Sequence, residues 1–280
     1  MKIALRFMII CLLLISVESI AAEWITDNKS GCKIWNPNPQ PKETISWSGE
    51  CIDGYASGIG TLIWYQNGKM GSQYEGETIK GKHNGRGTAK FANGNIYYGD
   101  FVDNVRTGKG VLRWPNGDKY EGDFLENKRT GKGTYMWMNG NMYIGDFLDD
   151  IRTGKGIFVW TSGEKYDGDF SNGNLHGRGI LTSPDGQKYE GEFVEGKRTG
   201  KGIRTFSDGN VLEGNFIDDK ANGKGIYKFA NGDRYEGEIV DNRPWGKGII
   251  TYTSGKTCTG KFKNGKPAGE LNCTGGNTGN

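Results

Sequence analysis

Tyr120-Glu121-Gly122-Asp123-Phe124, followed seven residues later by Gly131-Lys132-Gly133, is the stretch on which the reading of this chain turns. The first half recurs as Tyr97-Tyr98-Gly99-Asp100-Phe101, Tyr143-Ile144-Gly145-Asp146-Phe147, Tyr166-Asp167-Gly168-Asp169-Phe170 and Tyr189-Glu190-Gly191-Glu192-Phe193. Its central glycines are Gly76, Gly99, Gly122, Gly145, Gly168, Gly191, Gly214, Gly237 and Gly260, each 23 residues after the last. A strict period of this length marks a repeat architecture, in which each unit is one supersecondary element that needs its neighbours. An earlier degenerate copy, Trp47-Ser48-Gly49-Glu50-Cys51, lies four residues further from the next than the rest, which makes nine complete units and one truncated unit.

Outward from the motif, turn dipeptides follow each double-glycine element: Asn93-Gly94, Asn116-Gly117, Asn139-Gly140, Ser162-Gly163, Asp185-Gly186, Asp208-Gly209 and Asn231-Gly232. Asn-Gly and Asp-Gly accept positive φ at both central positions of a two-residue turn, so the spacing predicts a tight hairpin across every repeat boundary. Strand alternation then puts Tyr120, Gly122 and Phe124 on one face and Glu121 and Asp123 on the other. The double-glycine strand brings a further aromatic four residues after its second glycine: Trp64, Phe91, Trp114, Trp137, Trp160, Phe206, Phe229 and Tyr252, with Ser183 the exception. A glycine between two rings leaves a slot for a ring from the neighbouring strand, and the expectation is a buried aromatic ladder.

No lone hairpin of this size stays folded in water, whereas stacked neighbours share one buried face. The predicted fold class is therefore all-β: an elongated antiparallel β-hairpin repeat array, on the order of 90 to 100 Å long at about 4.8 Å per strand. Over residues 47–270 the chain closely resembles proteins built from membrane occupation and recognition nexus (MORN) repeats. It departs from their pattern at Thr78 and Ile239 in place of phenylalanine, at Leu212 and Cys258 in place of tyrosine, and at Pro267-Ala268-Gly269, where the pattern stops. The resemblance implies an elongated sheet, self-association, and scaffolding of proteins or attachment at membranes, without catalysis by the repeats.

Composition agrees with local, repeated burial: 48 glycines and 12% aromatic residues stand beside only 34% hydrophobic residues. At the amino terminus Lys2 and Arg6 flank an apolar run from Phe7 to Val17 that leads to Ala21 and Ala22, the pattern of a cleaved export signal over 1–22. The run is too short for a membrane span of about 20 residues, and the charged Lys29 before Ser30-Gly31-Cys32 speaks against a lipid-attachment site. Removal of the signal leaves 34 basic against 32 acidic residues. That near-neutral balance lacks the electrostatic footprint of a nucleic-acid binder.

Four cysteines then remain, Cys32 with Cys51 and Cys258 with Cys273, and an oxidising compartment favours disulfides. A metal site is the weaker alternative, since the spacings contain no Cys-x-x-Cys and His83 and His176 are remote in sequence. Residues 23–46, with Trp24, Trp35 and the Pro-rich Asn36–Pro41, read as an amino-terminal cap tied by Cys32 and Cys51. Residues 271–280 read as a tail.

Charge supplies the candidate sites. Asp100, Asp123, Asp146, Asp169, Glu192 and Glu238 form one line, and Arg86, Lys109, Lys132, Lys155, Arg178, Lys201, Lys224 and Lys247 another. The two lines are expected to balance one another on a solvated face. Arg106, Arg129, Arg152 and Arg198, each before a threonine, could grip phosphates or carboxylates, but Asp103, Glu126, Asp149, Asp150 and Glu195 lie close enough to favour local ion pairing. The ladder tryptophans are expected to be core, and Trp245, out of phase with them, is the better candidate for an exposed contact with a sugar or a partner.

No catalytic constellation appears. His83 and His176 fall in different repeats without a nucleophile motif, and the repetition of the carboxylates gives no acid–base pair in unlike environments. The Gly-x-Gly elements lack the strand-to-helix setting of a dinucleotide site. The expectation is no enzyme, no cofactor and no metal. First in rank stands a protein-binding scaffold of the cell envelope, periplasmic or extracellular and open to homo-oligomerisation. Binding of an envelope glycan or an anionic phospholipid headgroup by the repeat surface stands second.

Overall fold

The computed structural model describes residues 21–275, so most of the predicted export segment, and residues 276–280 of the predicted tail, lie outside it. The described residues form strands and turns without a helix. They group into two compact units, one ending at Lys82 and one starting at His83.

In the first unit β1 (Glu23–Thr26) pairs antiparallel with β2 (Lys33–Asn36), which touches β5 (Tyr55–Gln66) through a parallel bridge at Lys33 and Tyr55. The long β5 also pairs with β3 (Glu43–Trp47), β4 (Glu50–Ile52) and β6 (Lys69–Ile79). Trp47 decides the packing: its ring lies against Gly49 and Gly60, where a Cβ has no room. Its indole N–H donates to the carbonyl of Glu50 at 2.9 Å, and its backbone N–H donates to the buried carboxylate of Asp27 at 3.3 Å. Although burial pushes the Asp27 carboxyl up, hydrogen bonds from Ser30, Lys29 and Trp47 prevail and hold it below the usual carboxylate range. The Cys32–Cys51 disulfide ties the start of β2 to β4.

In the second unit strand follows strand as far as Thr257–Lys263, neighbours in sequence pairing antiparallel, and that last long strand takes both Lys266–Pro267 and Asn272–Thr274 as partners. Lys119–Leu125, for example, pairs with Val105–Arg113 on one side and Lys128–Met136 on the other. The turns differ from expectation. The tight two-residue turn, with positive φ at both positions, joins the phenylalanine end of one strand to the double-glycine strand, at pairs such as Asp103-Asn104 (50°, 72°), Glu126-Asn127 (50°, 68°) and Asp149-Asp150 (48°, 70°). The Asn-Gly dipeptides instead sit in three-residue loops. In Pro115-Asn116-Gly117 only Gly117 is left-handed (94°), its N–H donates to the carbonyl of Trp114 at 3.0 Å, and the Asn116 side chain accepts from the N–H of Asp118 at 3.1 Å. A type I turn closed by one left-handed glycine is the other common hairpin loop, and Pro115 at its first central position suits it.

Neighbouring repeats are latched at the tight turns. The N–H of Asn127 donates to the carbonyl of Arg106 at 3.1 Å, and the N–H of Arg106 donates back to Oδ1 of Asn127 at 2.9 Å. Asp150 with Arg129 and Asp219 with Arg198 repeat this exchange. The repeat-to-repeat hydrogen bonds hold residues such as Asp149 and Asp150 in a conformation that side chains otherwise avoid.

The core is the tyrosine–phenylalanine face. Tyr97, Tyr120, Tyr143 and Tyr166 are fully buried, and Phe101, Phe124, Phe147 and Phe170 nearly so. The Tyr120 ring meets Phe124 of its own repeat edge-to-face at 5.3 Å and Phe147 of the next at 5.0 Å, and this relay continues through Tyr189 and Phe216. Each such ring pair contributes about 0.5–1.5 kcal/mol beyond its burial. The slot at Gly122, between the two rings, is filled by Tyr120 of the same strand and not by a neighbour's ring, while across the strand pair the same Tyr120 ring covers Gly133. Its hydroxyl donates to the carbonyl of Asp123 at 3.0 Å. Burial pushes the hydroxyls of Tyr97, Tyr143, Tyr189 and Tyr235 up to about 12.

A second correction concerns the ladder tryptophans. Trp114, Trp137 and Trp160 are only half-buried and form a separate row with Tyr135 and Phe158, with centroids 4.4 to 5.3 Å apart.

The relay is interrupted between Phe216 and Tyr235. Leu212 and Ile239 stand where tyrosine and phenylalanine stand in most repeats, Ala221 occupies the column of Arg106, Arg129, Arg152 and Arg198, and Asn215 replaces the acid. A Cβ added to Gly214 would meet nothing closer than 3.8 Å, against 2.5 Å at Gly122. At the carboxyl end Cys258 replaces tyrosine and bonds to Cys273 on the paired strand Asn272–Thr274, while Leu271 fills the space over Gly260.

Candidate functional site

The arginine line lies on the aromatic face. The Arg129 guanidinium sits 5.3 to 5.7 Å from the centroids of Trp114, Tyr120, Tyr135 and Phe147, and Arg152 repeats the arrangement over Trp137, Tyr143, Phe158 and Phe170. Arg106 covers Phe91, Tyr97 and Phe124, and Arg198 covers Tyr189. Arginine stacks well because its planar, weakly hydrated cation is drawn to the ring face. Arg129 and Arg198 are ion-paired to Asp150 and Asp219 of the following turn, with Nε to Oδ1 distances of 2.8 and 2.9 Å. Arg106 donates to Asn127 and Arg152 to the carbonyl of Gly173 at 2.7 Å. Burial draws the pKa of Arg106 and Arg152 below the usual arginine range. These side chains form the lid that shields the ring face of an open sheet, with their donors turned to the next repeat. His83 occupies the same column in the first repeat of this unit, edge-to-face with Phe101 at 5.8 Å, and burial pushes its imidazole down to about 4.

The opposite, outer face carries the two charge rows, and they interlock. Asp123 accepts from the N–H of Lys132 at 3.0 Å, closing the bulge at Gly131-Lys132, while its other oxygen pairs with Lys109 of the preceding repeat at 2.5 Å. Asp146 does the same with Lys155 and Lys132, and Asp169 with Arg178 and Lys155. For both acids these hydrogen bonds outweigh burial and keep the carboxyl below its usual range. The ladder ends there: among the described residues no such ion pair joins Lys201 to the facing Asn215 or Lys247 to the facing Lys261.

Beside the interlocked charge rows runs a trough. Three cavities of about 800, 1270 and 500 Å³ follow one another along the outer face and share Lys155 and Asp167, then Glu236 and Lys247, as lining residues. Their walls carry Val111, Ile157, Ile180, Ile203, Ile226 and Ile249, the residue after the second glycine in six units, with Thr134 at that position between the first two, and their floor is the glycine pairs. Sequence reading passed over this row, although it recurs every 23 residues. Trp245 also belongs to the outer face. It faces Glu238 across the strand pair, is half-buried, and has the Lys263 ammonium 5.9 Å from its ring.

The MORN repeat matches eight consecutive segments: 74–96, 97–119, 120–142, 143–165, 166–188, 189–211, 213–234 and 235–257. The chain belongs to the MORN repeat family. Its seventh MORN match, 213–234, starts one residue late, at the unit where Leu212 has replaced tyrosine. Hairpins with two unlike faces are thus the MORN contribution, and the disulfide-tied segments at either end lie beyond the matched repeats.

Among solved structures, the TCP domain of SAS-4 (dCPAP) of Drosophila melanogaster, in complex with a proline-rich motif of Ana2 (dSTIL), is 16% identical. It covers 56% of this chain and 85% of that chain at a TM-score of 0.37. The TCP10 domain of Danio rerio CPAP, in complex with a peptide of STIL, is 11% identical and covers 81% of this chain and 97% of that chain at 0.29. No curated protein matches the chain.

Proposed function

We propose that this MORN repeat chain is a non-enzymatic scaffold of the cell envelope that holds a protein partner in the trough of its outer face. The observation that carries this reading is the inequality of the two faces. Arg106, Arg129, Arg152 and Arg198 roof the aromatic face over their repeats, whereas the trough leaves Ile144, Ile203 and Ile249 at 43 to 44% exposure in a row flanked by charge. A contiguous apolar strip with a polar rim is the anatomy of a protein-binding surface. The repeated carboxylates are tied into ion pairs or stand in identical surroundings, which supports a binding role over an acid–base one. Two disulfides fit an oxidising compartment and thereby support export, with the mature chain starting at Glu23.

The test is site-specific photo-crosslinking in native envelopes, with the crosslinker at Ile203 or Ile226 on the outer face and at Trp137 on the inner one. A discrete protein adduct from the outer positions alone, lost in Ile180→Glu/Ile249→Glu, is the expected result. Adducts from Trp137 alone, or sedimentation with peptidoglycan or anionic vesicles without a protein adduct, would overturn it.

A further inference from the structure

We propose that the last repeat carries an anion site, formed by Lys247, Lys261, Lys263 and Lys266 beside Trp245, that takes the acidic end of a protein segment lying in the trough. The proposal rests on the trough being a protein-binding surface and adds which chemistry the partner presents at which end.

The chain is nearly neutral as a whole, but not here. From Arg243 to Gly269 there are six lysines and arginines and no aspartate or glutamate. Strand pairing concentrates them: Lys247 faces Lys261 directly, and Lys263 faces Lys266. Lys261 and Lys263 are two residues apart on one strand and therefore share a face. Like charges directly opposite one another in a sheet are destabilising. Upstream the fold avoids this arrangement, because Asp123, Asp146 and Asp169 hold the position that Lys261 occupies and pair with the facing lysine at 2.5 to 2.6 Å. The inversion of sign at one position replaces a closed ion pair with two facing cations.

The cations also have a shape to serve. Lys247 and Lys261 line the 500 Å³ cavity, whose floor includes Gly237, Gly248 and Gly260 and whose walls include Ile249 and Thr259. Glu236 at its margin is paired with Arg234 at 2.7 Å, and Glu238, which faces Trp245, lies against Gly246 beside Lys247, so one carboxylate stands against the four lysines. Trp245 stands where Thr107, Thr130, Thr153 and Thr199 stand in their repeats, and the Lys263 ammonium lies 5.9 Å from its ring. Lysines along a concave trough that continues past Ile249 to Ile226 and Ile203 are open to an extended chain. A flat bilayer would meet the rims first. Charge and concavity together select a segment with carboxylates at one end and aliphatic residues beyond them.

The test is fluorescence anisotropy of a labelled oligoglutamate peptide with the full mature chain, near physiological salt. The lysine set Lys247→Gln/Lys261→Gln/Lys263→Gln/Lys266→Gln is compared with a charge-matched control outside the trough, Lys119→Gln/Lys128→Gln/Lys188→Gln/Lys197→Gln, after circular dichroism shows both folded. Saturable binding by the native chain, weakened about tenfold or more by the first set and little by the second, is expected. Equal loss in both sets, no binding, or binding of anionic phospholipid vesicles in preference to the peptide overturns the site. If the site fails while the crosslink at Ile203 persists, the trough remains a partner surface without this polarity. If the crosslink fails as well, both readings fall.

Discussion

Arg129 reaches out of its own repeat to Asp150 in the next, where one carboxylate oxygen accepts from both the Arg129 backbone N–H at 3.0 Å and its Nε at 2.8 Å. One side chain thus fixes the turn it sits in, the strand edge of its neighbour and the guanidinium that covers the rings. Asp150→Ala removes all three and is expected to lower unfolding free energy by about 1–3 kcal/mol, whereas Asp150→Asn keeps the backbone latch and costs less. Urea titration followed by tyrosine and tryptophan fluorescence measures both.

Two glycines at equivalent positions are expected to answer a methyl group in opposite ways. Gly122→Ala drives a Cβ into the Tyr120 hydroxyl and the Gly133 backbone at 2.5 to 2.6 Å, an overpacking that costs about 1–3 kcal/mol or more. Gly214→Ala meets only atoms at 3.8 Å and beyond, and it is neutral or gains about 0.4–1 kcal/mol by restricting the unfolded chain. Thermal melts of the two variants decide the point, and equal losses would contradict the difference in packing.

Acid is expected to weaken the second unit in two windows. His83, whose pKa burial lowers to about 4 from an ordinary 6.5, binds its proton more readily when unfolded, so its contribution is complete above about 6.5 and is lost as pH falls towards 4. Asp146, Asp150, Asp169 and Asp219 sit below their ordinary value near 3.8 despite burial, because hydrogen bonds and cations favour the ionised form. Their contribution is present above that value and disappears below it. Denaturation midpoints measured from pH 7 to pH 2 are expected to fall in both steps, with His83→Phe flattening only the first.

Reduction of Cys258–Cys273 opens a 15-residue separation and frees the short strand that covers the last long one. By loop entropy the bond contributes about 3 kcal/mol. An uncovered strand edge also invites pairing with other chains. Light scattering is expected to rise with reductant in the native chain, and Cys258→Ser/Cys273→Ser is expected to scatter without it.

The fold was legible because Tyr120, Gly122 and Phe124 recur without insertion, and a period with alternating faces admits few architectures. The turns were half-legible. Asn116-Gly117 announces a turn but not its length, and Glu126-Asn127 carries little local signal, since its left-handed backbone is fixed by Arg106 of the preceding repeat. Arg129 read as a surface cation because sequence gives no hint that an open sheet must roof its own aromatic face. The isoleucine row was visible at a 23-residue spacing yet had no reason to matter until the glycine floor made a trough of it. The balance of total charge concealed Lys247 opposite Lys261, which only strand register brings together.

Where Leu212, Ala221 and Ile239 interrupt the ring relay, coupling between adjacent hairpins is weakest, and a stacked array melts by moving such a boundary. Heating is therefore expected to peel the carboxyl-terminal hairpins away as a block while the upstream rings still hold. The lysine-bearing end would then move about a seam set by three missing side chains, and its grip on any occupant would fade before the body of the protein does.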